Sequence, residues 1–187
     1  MILGSARRGN IWYATVTSSK DKGLLACSFS NSKKSAEESA IRSLPKGLRR
    51  DLVRSRSESE VIEMLSRIHA GKDINHRPSI ALRTPSEFLR SVYKMTMGIP
   101  KGKVITYGGL AKLVGYRRAA RAVGSAMARN PLPLAIPCHR VVLSTLQVGS
   151  YGFERNGTSR TKRALLVHEG VRFEGEKVSK SCVWAPS

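Results

Sequence analysis

The sequence feature that most restricts what this chain can form is a stretch of 66 residues, 88–153, that contains no aspartate or glutamate. A solvated protein face usually mixes charges of both signs, whereas a long stretch that carries cations alone suits a surface that meets phosphates. We therefore expect part of this stretch to face a polyanion. Its ten basic residues are Arg90, Lys94, Lys101, Lys103, Lys112, Arg117, Arg118, Arg121, Arg129 and Arg140.

The charge of the whole chain has the same sign. Lysine and arginine number 33 against 13 aspartates and glutamates, which gives a formal net charge of +20. Residues 1–80 contribute +7 (15 basic, 8 acidic), and residues 81–187 contribute +13 (18 basic, 5 acidic). Nucleic acid, an anionic membrane surface and a basic face without a partner are all compatible with the total. The concentration of charge in the second half favours nucleic acid.

Composition and cysteine use narrow the class of protein. The 187 residues, 41% of them apolar, suffice for one domain or two small ones with a real core, which excludes wholesale disorder. No apolar run approaches the roughly 18–20 residues of a membrane span, and the first eight residues do not resemble a signal peptide. Cys27, Cys138 and Cys182 are widely spaced and form no CxxC pair, which is typical of a reducing compartment. We predict a protein without a membrane partner that is cytoplasmic, or nuclear if the source is a eukaryote.

Local patterns divide the chain at about residue 80 and predict an α+β fold. Ile11–Thr17 and Leu24–Ser30 are rich in β-branched and aromatic residues and predict a hairpin. Ser35 and Ser57 each open a capping box, which predicts two helices. We predict a small N-terminal α/β domain over residues 1–80, a mostly helical C-terminal domain over 81–175 and a tail over 176–187.

Two short helices in the second domain predict a helix-turn-helix. Thr84 begins a helix that precedes them, and Thr106 caps a short helix over 107–114 that ends where Gly115 takes a left-handed conformation. A second, arginine-rich helix follows over 117–129. Many helical hairpins share this pattern, but its place within the acid-free stretch favours DNA binding.

The second helix carries few of the side chains that read base edges. Ala119, Val123 and Met127 lie at i, i+4 spacing and fit a stripe that packs into the core. The small residues Ala122, Gly124 and Ser125 then face elsewhere. They predict close, sequence-tolerant contact with a groove of nucleic acid and its sugar–phosphate walls.

The candidate chemistry centres on Cys138. A thiol is a nucleophile as thiolate, and the cationic and imidazole groups of His139 and Arg140, which follow it directly, predict a lowered thiol pKa. The alternative is a buried, inert cysteine beside a surface histidine. Because adjacent side chains on a helix diverge, a direct contact and a water relay between Cys138 and His139 both stay open. Glu169 is a candidate to orient His139 and to stabilise its imidazolium form.

The string Ile136-Pro-Cys-His-Arg-Val-Val142 resembles the active-site motif of the O6-alkylguanine-DNA alkyltransferases, also called methylated-DNA–protein-cysteine methyltransferases. The resemblance covers about residues 84–170 and implies a winged helix-turn-helix, with a ribonuclease-H-like layout for residues 1–80. Five further segments agree in order and spacing: Pro100-Lys-Gly-Lys-Val-Ile-Thr-Tyr107, Leu110-Ala111, Arg121-Ala-Val-Gly124, Asn130-Pro131 and His168-Glu-Gly170.

The resemblance implies repair of DNA by direct reversal of damage. Cys138 would attack the alkyl carbon on O6 of a guanine flipped out of duplex DNA, and the protein would act once. His139 would take the thiol proton through a water molecule, Glu169 would orient His139, and Tyr107 would donate to the departing guanine. A base must leave the stack to react, which gives these roles an independent physical reason.

The resemblance also assigns residues to DNA binding and to the base pocket. Arg121 would fill the gap left by the flipped nucleotide, and the protein would approach DNA through its minor groove. Asn130 would anchor the turn between the recognition helix and the active site. The remaining expected DNA contacts are Thr106, Arg117, Arg118, Ala122, Gly124 and Ser125, and the expected pocket residues are Met127, Val141 and Tyr151.

No cofactor or metal is expected. Cys27, His69 and His76 lack the spacing of a zinc site. The expected partner is duplex DNA that contains O6-alkylguanine, and the protein is expected to be a monomer in solution. Three other functions stay open: a non-catalytic binder of alkylated DNA, a helix-turn-helix transcription regulator, and a cysteine hydrolase. The loop from Gly152 to Arg160 is longer and more charged than the family pattern, which leaves the preferred alkyl size open.

Overall fold

The computed structural model describes residues 1–55, 60–74, 76–81, 84, 86–151 and 159–186. It divides the chain into two compact units, which are Met1–Arg83 with Pro131–Ala135, and Thr84–Asn130 with Ile136–Ser187. The segment Pro131–Ala135 thus belongs to the first unit although it follows the predicted helix-turn-helix in sequence. The predicted cap at Ser57 and the loop 152–158 lie outside the described residues.

The first unit is built on a four-stranded sheet in the order β3-β2-β1-β4. Strands β1 (Ile2–Arg8), β2 (Ile11–Thr17) and β3 (Leu24–Ser30) are antiparallel, whereas β4 (Val53–Ser55) pairs in parallel with β1. The predicted β2–β3 hairpin is confirmed. The sequence analysis did not predict β1 or β4.

Two helices accompany this sheet. Helix α1 (Lys33–Ser43) buries Ala36 and Ala40, whose small side chains at i, i+4 spacing join the core with Leu3 and Val16 of the sheet. Its N-cap is Ser32, whose hydroxyl accepts a hydrogen bond from the Ser35 amide, so the predicted cap at Ser35 is wrong by one turn. Helix α2 covers Glu60–His69.

The second unit is mostly helical, with α3 (Glu87–Gly98), α4 (Tyr107–Leu113), α5 (Ala120–Ala128) and α6 (Arg160–His168). Short strands connect them: β5 (Ile105–Thr106) pairs in parallel with β6 (Val141–Val142), and β7 (Phe173–Glu174) pairs with β8 (Lys177–Val178). The two units together form a mixed α+β protein, as predicted. No described helix is long and apolar enough to cross a membrane.

The helix boundaries of the second unit follow local capping signals. Thr106 caps α4 as predicted, with its hydroxyl accepting from the Gly109 amide at 3.0 Å, and Gly115 has a φ of +86°. Helix α3 is capped by Ser86, not by Thr84, because the Ser86 hydroxyl accepts from the Leu89 amide. Helix α5 begins at Ala120, three residues later than predicted.

Residues 176–186, predicted as a tail, belong to the second unit. Strand β8 lies in this region, and the Lys180–Cys182 turn that follows it buries Cys182. The physical reason is the burial of apolar side chains, since Val178 and Cys182 pack with Val104, Val142 and Leu166 in one cluster. The sequence does not predict this packing because the region has few apolar residues and no long periodic pattern.

Candidate active site

Cys138, His139 and Arg140 form one 3₁₀ turn that leads directly into β6, and all three side chains are buried. The turn is held by short-range hydrogen bonds: the Cys138 amide donates to the Ile136 carbonyl at 2.8 Å. The Asn130 side-chain amide donates to the same carbonyl at 2.9 Å. Asn130 follows α5 by two residues, so it fastens the end of that helix to the segment that carries the thiol.

The structure brings His139 and Glu169 together. Nε2 of His139 lies 2.9 Å from Oε1 of Glu169, and both side chains are almost completely excluded from solvent. Because an ionised carboxylate can only accept, Nε2 carries the proton, and Nδ1 is left with a free lone pair. Nδ1 is buried and has no hydrogen-bond partner among the described residues. The imidazole is therefore set to accept a proton at Nδ1.

Arg140 fixes Glu169 from the other side. Its Nε donates to Oε2 at 2.8 Å and its Nη2 donates to Oε1 at 2.7 Å. Its Nη1 donates to the Ile99 carbonyl at 2.6 Å. A bidentate pair of this kind defines the plane of the carboxylate, which in turn defines the direction from which His139 is held. The sequence analysis gave Arg140 a different task, as a cation beside the thiol.

The protonation states of the pair follow from this geometry. Burial raises the pKa of Glu169, but the hydrogen bonds and charges of His139 and Arg140 outweigh it and lower that pKa to about 2. Burial lowers the pKa of His139 in spite of the opposing effect of Glu169. At neutral pH the pair is therefore a neutral imidazole on an ionised carboxylate, which is the form that can act as a general base.

The pKa of the Cys138 thiol moves in the direction opposite to the prediction. Burial raises it, while hydrogen bonds with Asn130 and Tyr151 and the charge of Lys162 act to lower it. The prediction was wrong because burial outweighs the effect of the nearby positive charge. Arg140 is paired to Glu169, and the cation that acts on the thiol is Lys162. The resting thiol is protonated and needs a base.

Lys162 is a candidate functional residue that the sequence did not predict. Its Nζ is buried and donates to the Val141 carbonyl at 2.6 Å and to the Tyr107 hydroxyl at 3.3 Å. Burial lowers its pKa to about 8. The available signal was its position in α6, on the same face as the buried Leu165 and Leu166, where a lysine is unusual.

Tyr107, the first residue of α4, keeps its proton. Burial, followed by the nearby Cys138, raises the pKa of the phenol to about 12. The hydrogen bond from Lys162 leaves the phenol able to donate its own proton elsewhere. The predicted pocket residues Met127, Val141 and Tyr151 are also buried in this unit, with exposed fractions of 7%, 0% and 4%.

Helix α5 divides its residues between core and solvent, but Ala119, predicted in its core stripe, precedes the helix and is half-buried. Val123 and Met127 are buried, whereas Arg121, Ala122 and Ser125 are exposed and Gly124 is half-buried. An added Cβ at Gly124 would meet no atom within 4 Å. Arg117 and Arg118 are exposed in the turn between α4 and α5, and the hydroxyl of Thr106 serves as the cap of α4. This face is cationic, with small side chains at its centre.

The described residues contain no group of three histidine, cysteine, aspartate or glutamate side chains that is arranged to hold a metal. Cys27, Cys138 and Cys182 are all buried free thiols. The thiol of Cys27, in β3, donates to the Pro133 carbonyl at 3.2 Å. Cys27 therefore has a structural partner within the first unit.

Comparison with known proteins shows the family to which the chain belongs. The sequence profile of "6-O-methylguanine DNA methyltransferase, DNA binding domain" matches residues 87–171. The human methylated-DNA–protein-cysteine methyltransferase is 44% identical over 110 residues, which are 56% of this chain and 51% of the human protein. The protein of the same name from Saccharolobus islandicus is 42% identical over 122 residues, 64% of this chain and 76% of the archaeal one. The chain belongs to the methylated-DNA–protein-cysteine methyltransferase family.

A solved structure of a methyltransferase of this family supports the fold over nearly the whole chain. The crystal structure of O6-methylguanine-DNA methyltransferase from Pyrococcus kodakaraensis superimposes with a TM-score of 0.66 at 26% identity, and covers 91% of this chain and 99% of its own. The methyltransferase profile contains Tyr107, Cys138, His139, Lys162 and Glu169. It ends before residues 172–186, which the structure assigns to the same unit.

Proposed function

We propose that this protein repairs DNA by direct reversal of damage, transferring the alkyl group from O6-alkylguanine in duplex DNA to Sγ of Cys138. The contact that carries the proposal is the buried hydrogen bond between His139 and Glu169, which leaves Nδ1 of an imidazole directly after the thiol free to accept a proton. Membership of the methyltransferase family gives the substrate class. No metal or cofactor takes part in the proposed reaction.

The proposed step is a displacement at the alkyl carbon. Sγ forms a bond to that carbon as the bond from carbon to O6 breaks, and the electron pair of the broken bond stays on the guanine. The thiol proton passes through a water molecule to Nδ1 of His139, and Glu169 stabilises the imidazolium. Tyr107, a protonated phenol beside Lys162, donates to the guanine ring as it leaves. The resulting thioether is not turned over, so each molecule acts once.

The proposed mode of DNA binding rests on the exposed face of α5. Its small residues Ala122, Gly124 and Ser125 would let the helix approach the minor groove closely, and Arg117 and Arg118 would contact phosphates. Arg121 would fill the base stack after the nucleotide is flipped, offsetting part of an unstacking cost of a few kcal/mol. Met127, Val141 and Tyr151 would line the pocket for the base, and Asn130 would couple α5 to Cys138.

The finer description of the fold is also a proposal. The sheet order β3-β2-β1-β4, with three antiparallel strands and a parallel fourth, supports a ribonuclease-H-like layout for the first unit. The strand pair β7–β8, which follows α5 in sequence, supports a winged form of the helix-turn-helix. A monomeric state and a cytoplasmic or nuclear location remain predictions.

A titration of the protein against a duplex that contains O6-methylguanine tests the function. We expect one guanine restored per protein molecule and no further repair with time. Cys138→Ser should restore none, while Cys27→Ser, which keeps a hydroxyl donor for the Pro133 carbonyl, should match the wild type. Selective lesion binding without repair would instead make the protein a lesion sensor. Repeated turnover would contradict the proposed thioether.

A further inference from the structure

Residues 177–184, here called the 177–184 segment, lie beyond the end of the methyltransferase profile and run beside the active-site strands. The Val104 amide donates to the Cys182 carbonyl at 2.9 Å, and the Trp184 amide donates to the Val104 carbonyl at 2.7 Å. Val183 accordingly forms a parallel bridge with Val104. The segment thus adds a single-residue bridge on this side of the unit.

Val104, which this bridge joins, leads into β5, and reacting groups adjoin both β5 and its partner strand β6. Val104 is followed by Ile105 and Thr106, which pair in parallel with Val141 and Val142. Tyr107 comes directly after Thr106, and Cys138–Arg140 come directly before Val141. The relative position of the phenol and the thiol therefore depends on the placement of this pair of strands.

The same segment contacts two more stretches next to the site. The Ser179 amide donates to the Arg172 carbonyl at 2.9 Å, and the Arg172 amide donates to Sγ of Cys182 at 3.4 Å. Arg172 follows Glu169 by three residues. The Val178 amide donates to the Leu146 carbonyl at 2.9 Å, within the turn that follows β6. The segment is therefore bonded to the stretches that lead to or follow Tyr107, Glu169 and Cys138.

Apolar burial fixes the segment in place. Val178 and Cys182 have exposed fractions of 2% and 5%, and they pack with Val104, Val142 and Val171. These partners belong to the same three stretches. A side-chain cluster that joins them resists sliding of one strand against the other, because close-packed interiors deform in discrete steps.

We propose that the 177–184 segment is a positioning element of the active site, which acts through Val104 to hold the hydroxyl of Tyr107 in register with the thiol of Cys138. The inference rests on the proposed alkyl transfer, because its effect is read in the rate of that reaction. The hydrogen bonds described above join the segment to Val104, Leu146 and Arg172, and not to the reacting groups. It sets the geometry in which the chemical step takes place.

Trp184→Pro tests this proposal, and Trp184→Ala is its matched control. Both variants lose the indole, but only proline removes the amide donor and places Cδ against the Val104 carbonyl, 2.7 Å from the present nitrogen. Val183, with φ −72° and ψ 124°, already has the extended conformation that a residue before proline requires. The backbone of Val183 therefore accommodates a following proline, and the lost donor acts on the pairing with Val104.

Single-turnover kinetics on a duplex with O6-methylguanine give the transfer rate at saturation and the half-saturating DNA concentration separately. We expect Trp184→Pro to lower the saturating rate about tenfold or more, since misplacement by about 1 Å can cost about a hundredfold. The half-saturating concentration should stay within about twofold, which a merely destabilised protein would not ensure. Hydrogen exchange at the Val104 amide should accelerate in Trp184→Pro alone, and Trp184→Ala should transfer at the wild-type rate.

Two results would overturn the inference. One is a wild-type transfer rate in Trp184→Pro although its Val104 amide exchanges rapidly. The other is an equal loss of transfer rate in Trp184→Pro and Trp184→Ala, which would assign the effect to the indole. If Trp184→Pro fails to fold, a chain that ends at Val183 removes the same donor without a clash. Its saturating transfer rate and its hydrogen exchange at the Val104 amide then test the proposal in the same way. A wild-type protein that transfers no alkyl group would refute the proposed function instead, while exchange at Val104 would still report on the pairing.

Discussion

Glu169→Gln removes the carboxylate on which the proton acceptor of the site depends. Oε1 accepts from His139 and from Nη2 of Arg140, and Oε2 accepts from Nε of Arg140. A glutamine amide has one acceptor oxygen and one NH₂ group, so in either orientation its NH₂ faces a donor. Arg140 is left buried with an incomplete set of acceptors, which is a costly arrangement.

The magnitude follows from the pKa of Glu169. A decrease from 4.5 to about 2, at 1.36 kcal/mol per pKa unit, corresponds to about 3 kcal/mol of stability at pH 7. Because the pKa is lowered in the folded state, this contribution is complete above pH 4.5 and is lost as the pH falls toward 2. The difference between wild type and Glu169→Gln should therefore shrink to about 2 kcal/mol at pH 3.5.

Urea denaturation followed by tryptophan emission measures this difference. The chain has two tryptophans, so a Trp12→Phe background leaves Trp184 as the reporter of the second unit. Glu174→Gln, at an exposed glutamate in the same unit, is the matched control and should match the wild type. Alkyl transfer by Glu169→Gln should be slower by about a hundredfold or more, the range expected for loss of general-base catalysis.

The reasoning fails if Glu169→Gln unfolds within about 0.5 kcal/mol of the wild type at pH 7, a margin typical of surface substitutions. It also fails if the loss of stability is unchanged between pH 7 and pH 3.5. A variant that is destabilised as expected but transfers at the wild-type rate would separate the two roles. In that case Glu169 would be structural, and His139 would not be the base.

Three further predictions concern DNA binding and the thiol. Arg121→Ala should slow repair of duplex DNA about tenfold or more, since unstacking costs a few kcal/mol, while reaction with a free O6-substituted guanine stays unchanged; equal losses on both substrates would exclude stack filling. Gly124→Ala should raise stability by up to about 1 kcal/mol in thermal denaturation, because the residue is helical and has space for a Cβ. The same change should weaken duplex binding in a fluorescence titration. An unchanged affinity would argue against close approach of DNA at this residue. Lys162→Met should slow alkyl transfer at pH 7. The difference in transfer rate between this variant and the wild type should shrink above about pH 8, where Lys162 loses its charge. A difference in rate that stays constant with pH would exclude an electrostatic role.

Local signals in the sequence were sufficient where the structure is itself local. Thr106 and Gly115 bound α4 by capping and by a left-handed conformation, both of which need only neighbouring residues. The apolar stripe of α5 likewise follows from helical spacing. Strand β1 was missed because Gly4 and Ser5 are weak strand formers, and its conformation depends on pairing with β2 along its whole length.

The candidate site was predictable in its residues but not in its electrostatics. The motif resemblance predicted that Cys138, His139 and Glu169 act together. The direction of the thiol pKa shift depends on burial, which adjacent residues do not encode. Arg140 stands beside Cys138 in sequence but binds Glu169 across the unit. Lys162 looks like a surface lysine until α6 is packed against β6. Each of these errors concerns a long-range contact.

Mass spectrometry of the protein after incubation with a duplex that contains O6-methylguanine tests the central claim most directly. The account predicts one added methyl group, about 14 Da for a nucleophile that is not regenerated, on the peptide that contains Cys138 and on neither of the peptides with Cys27 or Cys182. A methyl group on another residue, or restored guanine without any adduct on the protein, would contradict it.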